Sequence, residues 1–329
     1  MSGIRQLQVP IPNSPFGYLN AYLVQGDGGF LLIDIGWNSD AAMESLESQV
    51  ASFGCSWQDL RYIVFTHVHP DHYGLTQRLV GLTHAQLVMH TAERDALLAP
   101  NGDDSIAIQE LDEWLRSNGT PDAAVPTLRR TPKNILGIVS VPMSYVIVQD
   151  GEHLRFGPYD FEFVWTPGHS PGHICVLERE RRLLFCGDHL LSRVTPSVNM
   201  EHPSLGNLVS EYYRSLKRTA ALPVERVLPG HGDAFSDIVK RSAEVEEQHE
   251  RRMRMIAHAC SDGPRSAYEI SQVILARASG KGRPKPPPFI QRMVIAETIS
   301  HLEMLASRGK LIKTVEDGIV HFATSKASG

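Results

Sequence analysis

The sequence has little of several features that mark common protein classes. It contains four cysteines, none in a C-x-x-C pair, so neither a disulfide framework nor a thiolate metal site is expected. No apolar run reaches about 18 residues, the length that spans a bilayer, and residues 1–15 lack the apolar core of a signal peptide. A cytoplasmic protein without a membrane partner is therefore expected. The formal net charge of −5 provides no general attraction to nucleic acid.

One stretch has the chemistry of a metal site. The run F-T-H-V-H-P-D-H-Y-G-L, residues 65–75, places four potential ligands within six residues, namely His67, His69, Asp71 and His72. It follows an apolar, β-branched and aromatic segment, Tyr62 to Phe65, which is typical of a buried strand. Three imidazoles and a carboxylate are costly to bury together unless a cation neutralises the carboxylate and engages the ring nitrogens. The pattern predicts a metal site on the loop that leaves this strand.

The H-x-H-x-D-H motif after an apolar strand resembles the signature of the metallo-β-lactamase-fold hydrolases. Four further segments match that family in order: the D-I-G turn at Asp34, T-P-G-H ending at His169, F-C-G-D ending at Asp188, and L-P-G-H-G around His231. The match covers about residues 5 to 235. The resemblance implies an α/β fold, the four-layer αββα sandwich, in which two sheets lie face to face with helices outside.

The resemblance also implies a dinuclear metal centre. A first cation would be bound by His67, His69 and His169. A second would be bound by Asp71, His72 and His231, and the carboxylate of Asp188 would bridge both. Zinc is the expected metal, with manganese or iron as alternatives, since imidazole and carboxylate ligands suit all three. The zinc β-lactamases usually have cysteine or serine in place of the bridging aspartate, which argues against a dedicated antibiotic-degrading enzyme.

A metal-bridging hydroxide is the expected nucleophile, because two neighbouring cations lower the pKa of a shared water. Asp71 is predicted to orient this hydroxide as well as to bind metal. His189 follows the bridging aspartate and is predicted to bind substrate or to protonate the leaving group; the alternative is a surface histidine at a strand end. Asp34 and Thr66 are predicted to orient the ligand histidines through outer contacts, without binding metal themselves. Ser170 is interpreted as a turn residue.

The resemblance, together with the hydrophobic pattern of the rest of the chain, divides the sequence into three parts. Residues 1–235 are expected to form the catalytic domain, in which the irregular stretch 91–149 is a lid-like insertion. Residues 236–262 are expected to form a connecting helix. Residues 263–329 have the order helix, helix and hairpin, with an E-D-G turn at 316–318, and resemble a small winged-helix α+β domain. Asp40 to Phe53 predicts an amphipathic helix whose buried side carries Ala41, Met43, Leu46, Val50 and Phe53.

Three functions compete. The first is a hydrolase of a small-molecule ester, thioester or lactone, similar to glyoxalase II, with the C-terminal module capping the site or forming a homodimer contact. The second is a phosphodiesterase or endoribonuclease, resembling the mitochondrial β-lactamase-like endoribonuclease, because residues 263–329 carry ten Lys or Arg against five Asp or Glu. The third is a DNA-binding regulator that uses the metal site as a sensor. A neutral or acidic surface on the helix at 291–308 would argue against this last function.

Overall fold

The computed structural model describes residues 3–98, 105–130, 145–199, 207–279 and 286–325. These residues belong to two compact units. The first unit comprises Met1–Ala99, Gly137–Pro196 and Arg214–Ala243, and the second comprises Pro100–Leu136, Ser197–Tyr213 and Glu244–Gly329. The boundaries at 1–235, 236–262 and 263–329 stay predictions, and parts of the predicted lid, 99–104 and 131–144, lie outside the described residues.

The first sheet contains six strands in sequence order: β1 (Ile4–Pro10), β2 (Tyr18–Gly26), β3 (Gly29–Ile33), β4 (Leu60–Val64), β5 (Gln86–His90) and β6 (Tyr145–Val148). Strands β1 to β3 are antiparallel neighbours, whereas β3 to β6 are parallel. The carboxyl ends of parallel strands meet at one edge of a sheet. The loops after β3 and β4, which carry Asp34 and the H-x-H-x-D-H motif, therefore lie side by side.

The second sheet has the spatial order β11 (Arg226–Pro229), β10 (Leu183–Gly187), β9 (Ile174–Glu178), β8 (Tyr159–Trp165) and β7 (His153–Phe156). Strands β10 and β11 are parallel, and the other pairs are antiparallel. Strands β9 and β10 form an antiparallel hairpin. This sheet delivers the downstream motifs, because the His169 segment connects β8 to β9 and Asp188 directly follows β10.

Ten helices are described: α1 (Asp40–Ser52), α2 (Pro70–Tyr73), α3 (Thr76–Val80), α4 (Thr91–Leu98), α5 (Ser105–Ser117), α6 (Val125–Leu128), α7 (Leu208–Ala220), α8 (Ile238–Ala259), α9 (Ala267–Ser279) and α10 (Pro288–Ser307). Helix α1 starts after Ser39, whose hydroxyl accepts a hydrogen bond from the backbone N–H of Ala42 at 3.2 Å. Its buried residues are spaced four apart, namely Ala42, Leu46 and Val50. The predicted burial of Leu46 and Val50 is confirmed, but that of Ala41 and Phe53 was wrong, since both are exposed. Ala41 precedes the buried Ala42 by one position, and Phe53 follows the last residue of the helix.

The two sheets pack face to face in the first unit. Leu31 and Ile33 of β3 pack with Phe163 of β8 in one apolar cluster. Leu32, which points to the opposite face of the same strand, packs with Leu46 of α1 in a second cluster. Burying such a side chain contributes about 1.5–3 kcal/mol. An apolar strand buried on both faces is what a sheet between another sheet and a helical layer requires, and the predicted sandwich fold is confirmed.

The second unit contains a three-stranded antiparallel sheet with the order β12 (Arg265–Ser266), β14 (Ile319–Thr324) and β13 (Leu311–Glu316). The predicted E-D-G turn joins β13 to β14, and Asp317 and Gly318 both have positive φ, as a tight hairpin turn requires. Arg292 of α10 is buried and donates to the backbone carbonyl of Arg129 at 3.0 Å. The winged-helix assignment stays a prediction. Among the described helices, none combines the length and apolar character that a bilayer span requires.

Candidate metal centre

The seven predicted ligands come from loops at the ends of four strands. His67 and His69 follow β4, and Asp71 and His72 lie on the short helix α2 that continues from them. The other ligands follow strands of the second sheet: His169 after β8, Asp188 after β10 and His231 after β11. The structure brings all seven together in three overlapping groups, each of which could hold a metal ion: His67, His69 and His169; His67, His72 and Asp188; Asp71, His72 and His231.

The first group converges on three imidazole nitrogens. Nδ1 of His69 lies 3.0 Å from Nε2 of His67 and 3.0 Å from Nε2 of His169. Ligand nitrogens about 2.0–2.1 Å from a tetrahedral zinc ion lie about 3.3 Å apart. The three nitrogens are therefore spaced as a single cation requires.

The second group is joined to the first by Asp188. Nε2 of His231 lies 3.2 Å from Oδ2 of Asp71 and 3.5 Å from Oδ2 of Asp188. The same Asp188 Oδ2 lies 3.8 Å from Nε2 of His169 in the first group. Its other oxygen, Oδ1, lies 3.5 Å from Nε2 of His72. One carboxylate thus faces both groups.

Three buried atoms of this centre lack hydrogen-bond partners among the described residues: Nε2 of His72, Nε2 of His231 and Oδ1 of Asp188. An unsatisfied buried polar atom costs about 1–3 kcal/mol. A divalent cation would engage these atoms directly, since neutral imidazole nitrogens and carboxylate oxygens are ligands of zinc, manganese and iron. The donor set therefore fits the metal ions that the resemblance implies.

Asp34 orients two of the ligand histidines, as predicted. Its Oδ1 accepts from the backbone N–H of Thr66 at 2.9 Å, and its Oδ2 accepts from the Thr66 hydroxyl and from Nδ1 of His72, both at 2.8 Å. Because the Thr66 hydroxyl donates to Asp34, it accepts from Nδ1 of His67 at 3.1 Å. Both imidazoles carry their fixed proton on Nδ1, so each directs Nε2 toward the metal positions.

Backbone and ring contacts hold the remaining ligands. Nδ1 of His231 donates to the carbonyl of Tyr18 in β2 at 3.0 Å, and the ring of Phe16 stacks on the His231 ring with centroids 4.4 Å apart. His173, which lies in no predicted ligand position, is buried and accepts from the backbone N–H of Asp188 through Nε2 at 3.2 Å. A Cβ on Gly187 would lie 2.8 Å from this nitrogen, and its φ is +45°, so F-C-G-D requires glycine before the aspartate.

The two groups differ in their electrostatics. Burial lowers the pKa of His67, and burial together with His169 lowers the pKa of His69 to about 3, so both are neutral ligands near pH 7. Burial also acts to lower the pKa of His72, but the neighbouring carboxylates of Asp34 and Asp188 outweigh this effect, so its pKa is raised. Burial works against the charged form of Asp71, yet contact with His231 lowers the pKa of this carboxyl to about 2. The second position therefore combines carboxylates with imidazoles, whereas the first is built from neutral rings.

His189 is completely buried. Its Nε2 lies 2.9 Å from the hydroxyl of Thr219 in α7, and this hydroxyl donates to the carbonyl of Ser215 at 3.0 Å, so it accepts from His189. Burial lowers the pKa of His189 to about 3. This position is not the surface site of the alternative interpretation, and it favours a structural histidine. A catalytic role for His189 stays a prediction.

The segment from Gly168 to Gly172 fits the letters G-x-S-x-G of a nucleophile elbow. Such an elbow joins a strand to a helix, whereas this segment joins strands β8 and β9. The Ser170 hydroxyl is buried and donates to Oε1 of Glu93 at 2.6 Å. These contacts agree with a turn residue rather than a nucleophile.

Glu93, a buried carboxylate of α4, was not predicted. It accepts hydrogen bonds from Ser170 and from the backbone N–H groups of Val68 and Gly172, so it contacts two ligand loops at once. Burial raises its pKa, and the three hydrogen bonds oppose that shift. The only sequence signal was an acidic residue in the first turn of a helix, which is common on exposed helices as well.

Comparison with known proteins identifies the family of this chain. A family model of the metallo-beta-lactamase superfamily matches residues 15–231. The chain belongs to the metallo-β-lactamase superfamily. It is 24% identical over 331 residues to the probable metallo-hydrolase YqjP of Bacillus subtilis, with 97% of each chain covered. It is 31% identical over 224 residues to the acyl-coenzyme A thioesterase MBLAC2 of Gallus gallus, which covers 66% of this chain and 73% of that protein.

Solved structures of superfamily members extend the likeness to the whole chain. A metallo-beta-lactamase family protein from Thermus thermophilus superposes with a TM-score of 0.81 at 29% identity and covers 99% of both chains. A beta-lactamase domain protein from Burkholderia ambifaria has a TM-score of 0.77 at 24% identity, which supports the fold alone. Proteins of this superfamily bind divalent metal ions. The predicted family and the prediction of a hydrolase are both confirmed.

Proposed function

We propose that this protein is a dinuclear-metal hydrolase of a small-molecule ester, thioester or lactone, with an acyl thioester as the leading substrate class. The proposal rests on one observation, the carboxylate of Asp188 that faces both ligand groups. Its Oδ2 lies 3.8 Å from His169 in the first group and 3.5 Å from His231 in the second. A bridging carboxylate at this spacing suits two cations a few ångströms apart. His67, His69 and His169 would hold one cation, and Asp71, His72 and His231 the other.

The cations, when bound, would supply an activated water near neutral pH and a Lewis acid for the carbonyl oxygen. The chain fixes the geometry in which this happens. Asp34 keeps the Nε2 atom of His72 directed at the second ligand group, and Asp188, whose carboxylate faces both groups, would bind both cations. Asp71 is 22% exposed at its side chain, compared with 1% for His231. Asp71 can therefore contact an attacking water at the open side of the centre and orient it.

The thioester class is supported by the relative from Gallus gallus, which is named as an acyl-coenzyme A thioesterase. In such a hydrolysis, the water oxygen bonds to the acyl carbon, the carbon–sulfur bond breaks, and the sulfur leaves as a thiol after taking a proton. No redox partner is needed. Phe16, which is 36% exposed and stacks on His231, offers an apolar surface beside the second position for the acyl chain.

The charge of α10 argues against the DNA-binding regulator. Over the predicted range 291–308, the charged residues are Arg292, Glu297, Glu303 and Arg308. Arg292 is only 5% exposed, and the guanidinium of Arg308 pairs with Glu250 at 2.7 Å. The accessible surface of this helix is therefore not basic, whereas a helix that contacts phosphates needs exposed Lys or Arg.

Metal analysis and a substrate panel test the proposal on the full chain. Elemental analysis should find about two divalent metal ions per chain. The panel contains an acyl-coenzyme A thioester, a lactone, an aryl ester, a phosphodiester and short RNA. Asp188→Ala should lower the hydrolysis of the preferred substrate by about 100-fold or more, the scale of losing one group that stabilises the transition state. Asp233→Ala, an exposed aspartate near His231, is the matched control and should leave the rate unchanged.

Fewer than one metal ion per chain under metal-replete conditions would contradict the dinuclear assignment. Cleavage of the phosphodiester or of RNA, with no hydrolysis of any ester, thioester or lactone, would replace the proposed substrate class. An Asp188→Ala variant that is as active as the Asp233→Ala control would remove the bridging carboxylate from the reaction.

A further inference from the structure

The first metal position is assembled from two loops that are far apart in the sequence. His67 and His69 belong to the loop after β4, and His169 belongs to the loop between β8 and β9, in the opposite sheet. Nε2 of His169 must come within 3.0 Å of Nδ1 of His69. The spacing within either loop cannot set this distance. The apolar cluster between the sheets brings the two loops near each other, and contacts between the loops then fix how close they come.

One such contact is the backbone hydrogen bond from the N–H of Ile174 to the carbonyl of Thr66 at 2.9 Å, and Glu93 provides the others. Its Oε2 accepts from the backbone N–H of Val68, the residue between His67 and His69, at 2.8 Å. Its Oε1 accepts from the Ser170 hydroxyl at 2.6 Å and from the Gly172 N–H at 2.8 Å, both in the His169 loop. One oxygen therefore binds each loop. An ionised carboxylate is purely an acceptor, and all three of its partners are donors.

The surroundings of Glu93 are shaped for this contact. The residue is 1% exposed. A Cβ at Gly172 would lie 2.6 Å from the backbone nitrogen of Glu93 and 2.8 Å from its Cγ, so the loop approaches α4 as closely as it does only because residue 172 is glycine. Helix α4 directly follows β5, the parallel neighbour of β4, and this connection carries Glu93 to the edge of the sheet where the ligand loop leaves.

We propose that Glu93 is a positioning residue that fixes the separation of the two loops of the first metal position and thereby sets metal affinity there, and not at the second position. This inference rests on the proposed dinuclear centre. Glu93 hydrogen-bonds to the backbone and hydroxyl groups that flank the ligand side chains, and it would act through them. Outer contacts of this kind change metal affinity by about 10–100-fold when they are removed.

Glu93→Gln is the sharpest substitution, because glutamine has the same shape but one of its terminal atoms is a donor. If its oxygen keeps the bonds to Ser170 and Gly172, its NH2 group faces the Val68 N–H, donor against donor. Asp95→Asn is the matched control, since Asp95 lies on the same helix, is exposed and pairs with its neighbour Arg94. It removes the same charge without touching either loop.

The readout is metal affinity, measured by competition with a chelating indicator on the apo full-length protein. Two background variants allow each metal position to be measured alone. His231→Ala weakens binding at the second position, so the affinity of the first can be measured, and His169→Ala weakens binding at the first position, so the affinity of the second can be measured. Glu93→Gln should weaken Zn²⁺ binding about 10-fold or more in the His231→Ala background and less than about 2-fold in the His169→Ala background. Asp95→Asn should change neither value.

Each other outcome is decisive. A wild-type chain that binds less than one equivalent of Zn²⁺ overturns both the dinuclear centre and this inference. A wild-type chain that binds two equivalents overturns the inference alone if Glu93→Gln has no effect, or an equal effect, in the two backgrounds. If Glu93→Gln does not fold, Ser170→Ala decides, because it removes one hydrogen bond and keeps the other two. Unchanged affinity of the first position in Ser170→Ala then overturns the inference.

Discussion

Replacing Asp34 by asparagine should weaken both metal positions through the tautomers of two histidines. Oδ2 of Asp34 accepts from Nδ1 of His72 and from the Thr66 hydroxyl, both at 2.8 Å. In Asp34→Asn, an NH2 group in this place would donate, so Nδ1 of His72 would have to accept. The proton would then move to Nε2, the atom directed at the second position. The Thr66 hydroxyl would then accept from this NH2 group and donate to Nδ1 of His67, 3.1 Å away. The proton of His67 would therefore also move to Nε2.

The backbone tolerates this substitution, so the effect would be chemical rather than conformational. Asp34 has φ of +57°, a left-handed conformation that asparagine adopts almost as readily as aspartate. Its shape is also retained, and its Oδ1 can still accept from the Thr66 N–H. The remaining loss is that of an outer contact that fixes a ligand tautomer, about 10–100-fold in metal affinity. This corresponds to about 1.4–2.7 kcal/mol for each position.

Metal affinity and tautomer state together measure this prediction. Competition with a chelator gives the two Zn²⁺ affinities, and ¹⁵N-detected NMR of labelled histidine distinguishes a proton on Nδ1 from one on Nε2. Asp40→Asn is the control, because Asp40 is an exposed aspartate at the start of α1 that pairs with Arg78. Unchanged affinity together with the same His72 tautomer in Asp34→Asn would refute the reasoning. A loss of affinity without a change of tautomer would refute the proposed cause.

Two further predictions concern the stability of the metal-free chain. Asn20→Ala should lower the free energy of unfolding in urea by about 2–3 kcal/mol, because the buried Nδ2 of Asn20 donates to two carbonyls, including that of Gly232 at 2.8 Å. The control Gln6→Ala, which removes only a part-buried partner of Asn20, should lower it by about 1 kcal/mol or less. Equal losses in the two variants would contradict a stabilising role of the two buried Asn20 hydrogen bonds. His249 and His301, buried and 2.9 Å apart, have their pKa values lowered by burial to about 3 and about 4. The unfolded chain takes up protons at these rings first, so stability should fall below about pH 6.5 by up to about 1.4 kcal/mol per pH unit for each ring. The double variant His249→Phe/His301→Leu should show a slope smaller by that amount for each, and an unchanged slope would contradict the pKa assignment.

The layered fold could be predicted because its strands and helices have strong local signals. Strand β4, for example, coincides with most of the apolar segment that precedes the ligand motif. The wrong prediction for Ala41 of α1 has a physical cause. Ala41 and Ala42 are equally small and apolar, so the sequence pattern does not decide which of the two faces the sheet. Strand β6, four residues that begin at Tyr145, was not predicted. It is too short for its alternation to be distinguished from an irregular segment, and its partner β5 is more than fifty residues earlier in the chain.

The metal ligands could be predicted for a different reason. Their chemistry depends on residue types that are rare together and on short spacings, such as H-x-H-x-D-H, which a single loop fixes. Glu93 has no such signal, because its partners Val68 and Gly172 lie 25 and 79 residues away along the chain. Tyr18 likewise acts through a contact between the two sheets, and His173 acts through a contact between neighbouring strands of the second sheet. The ligands of the centre are thus visible in local sequence, whereas the groups that orient them depend on the tertiary structure.

Because its ligands come from both sheets, the metal centre depends on how the two sheets pack. Its ligands leave the ends of β4, in one sheet, and of β8, β10 and β11, in the other, so the distance between them depends on the apolar cluster that holds the sheets together. An unfolded chain cannot preform ligands that span residues 67–231. Metal binding would therefore favour the folded state, by about 2.7 kcal/mol for a site at 100-fold excess of free metal over its Kd. Conversely, a substitution that loosens the sheet packing, even far from the ligands, weakens the metal centre through the same linkage.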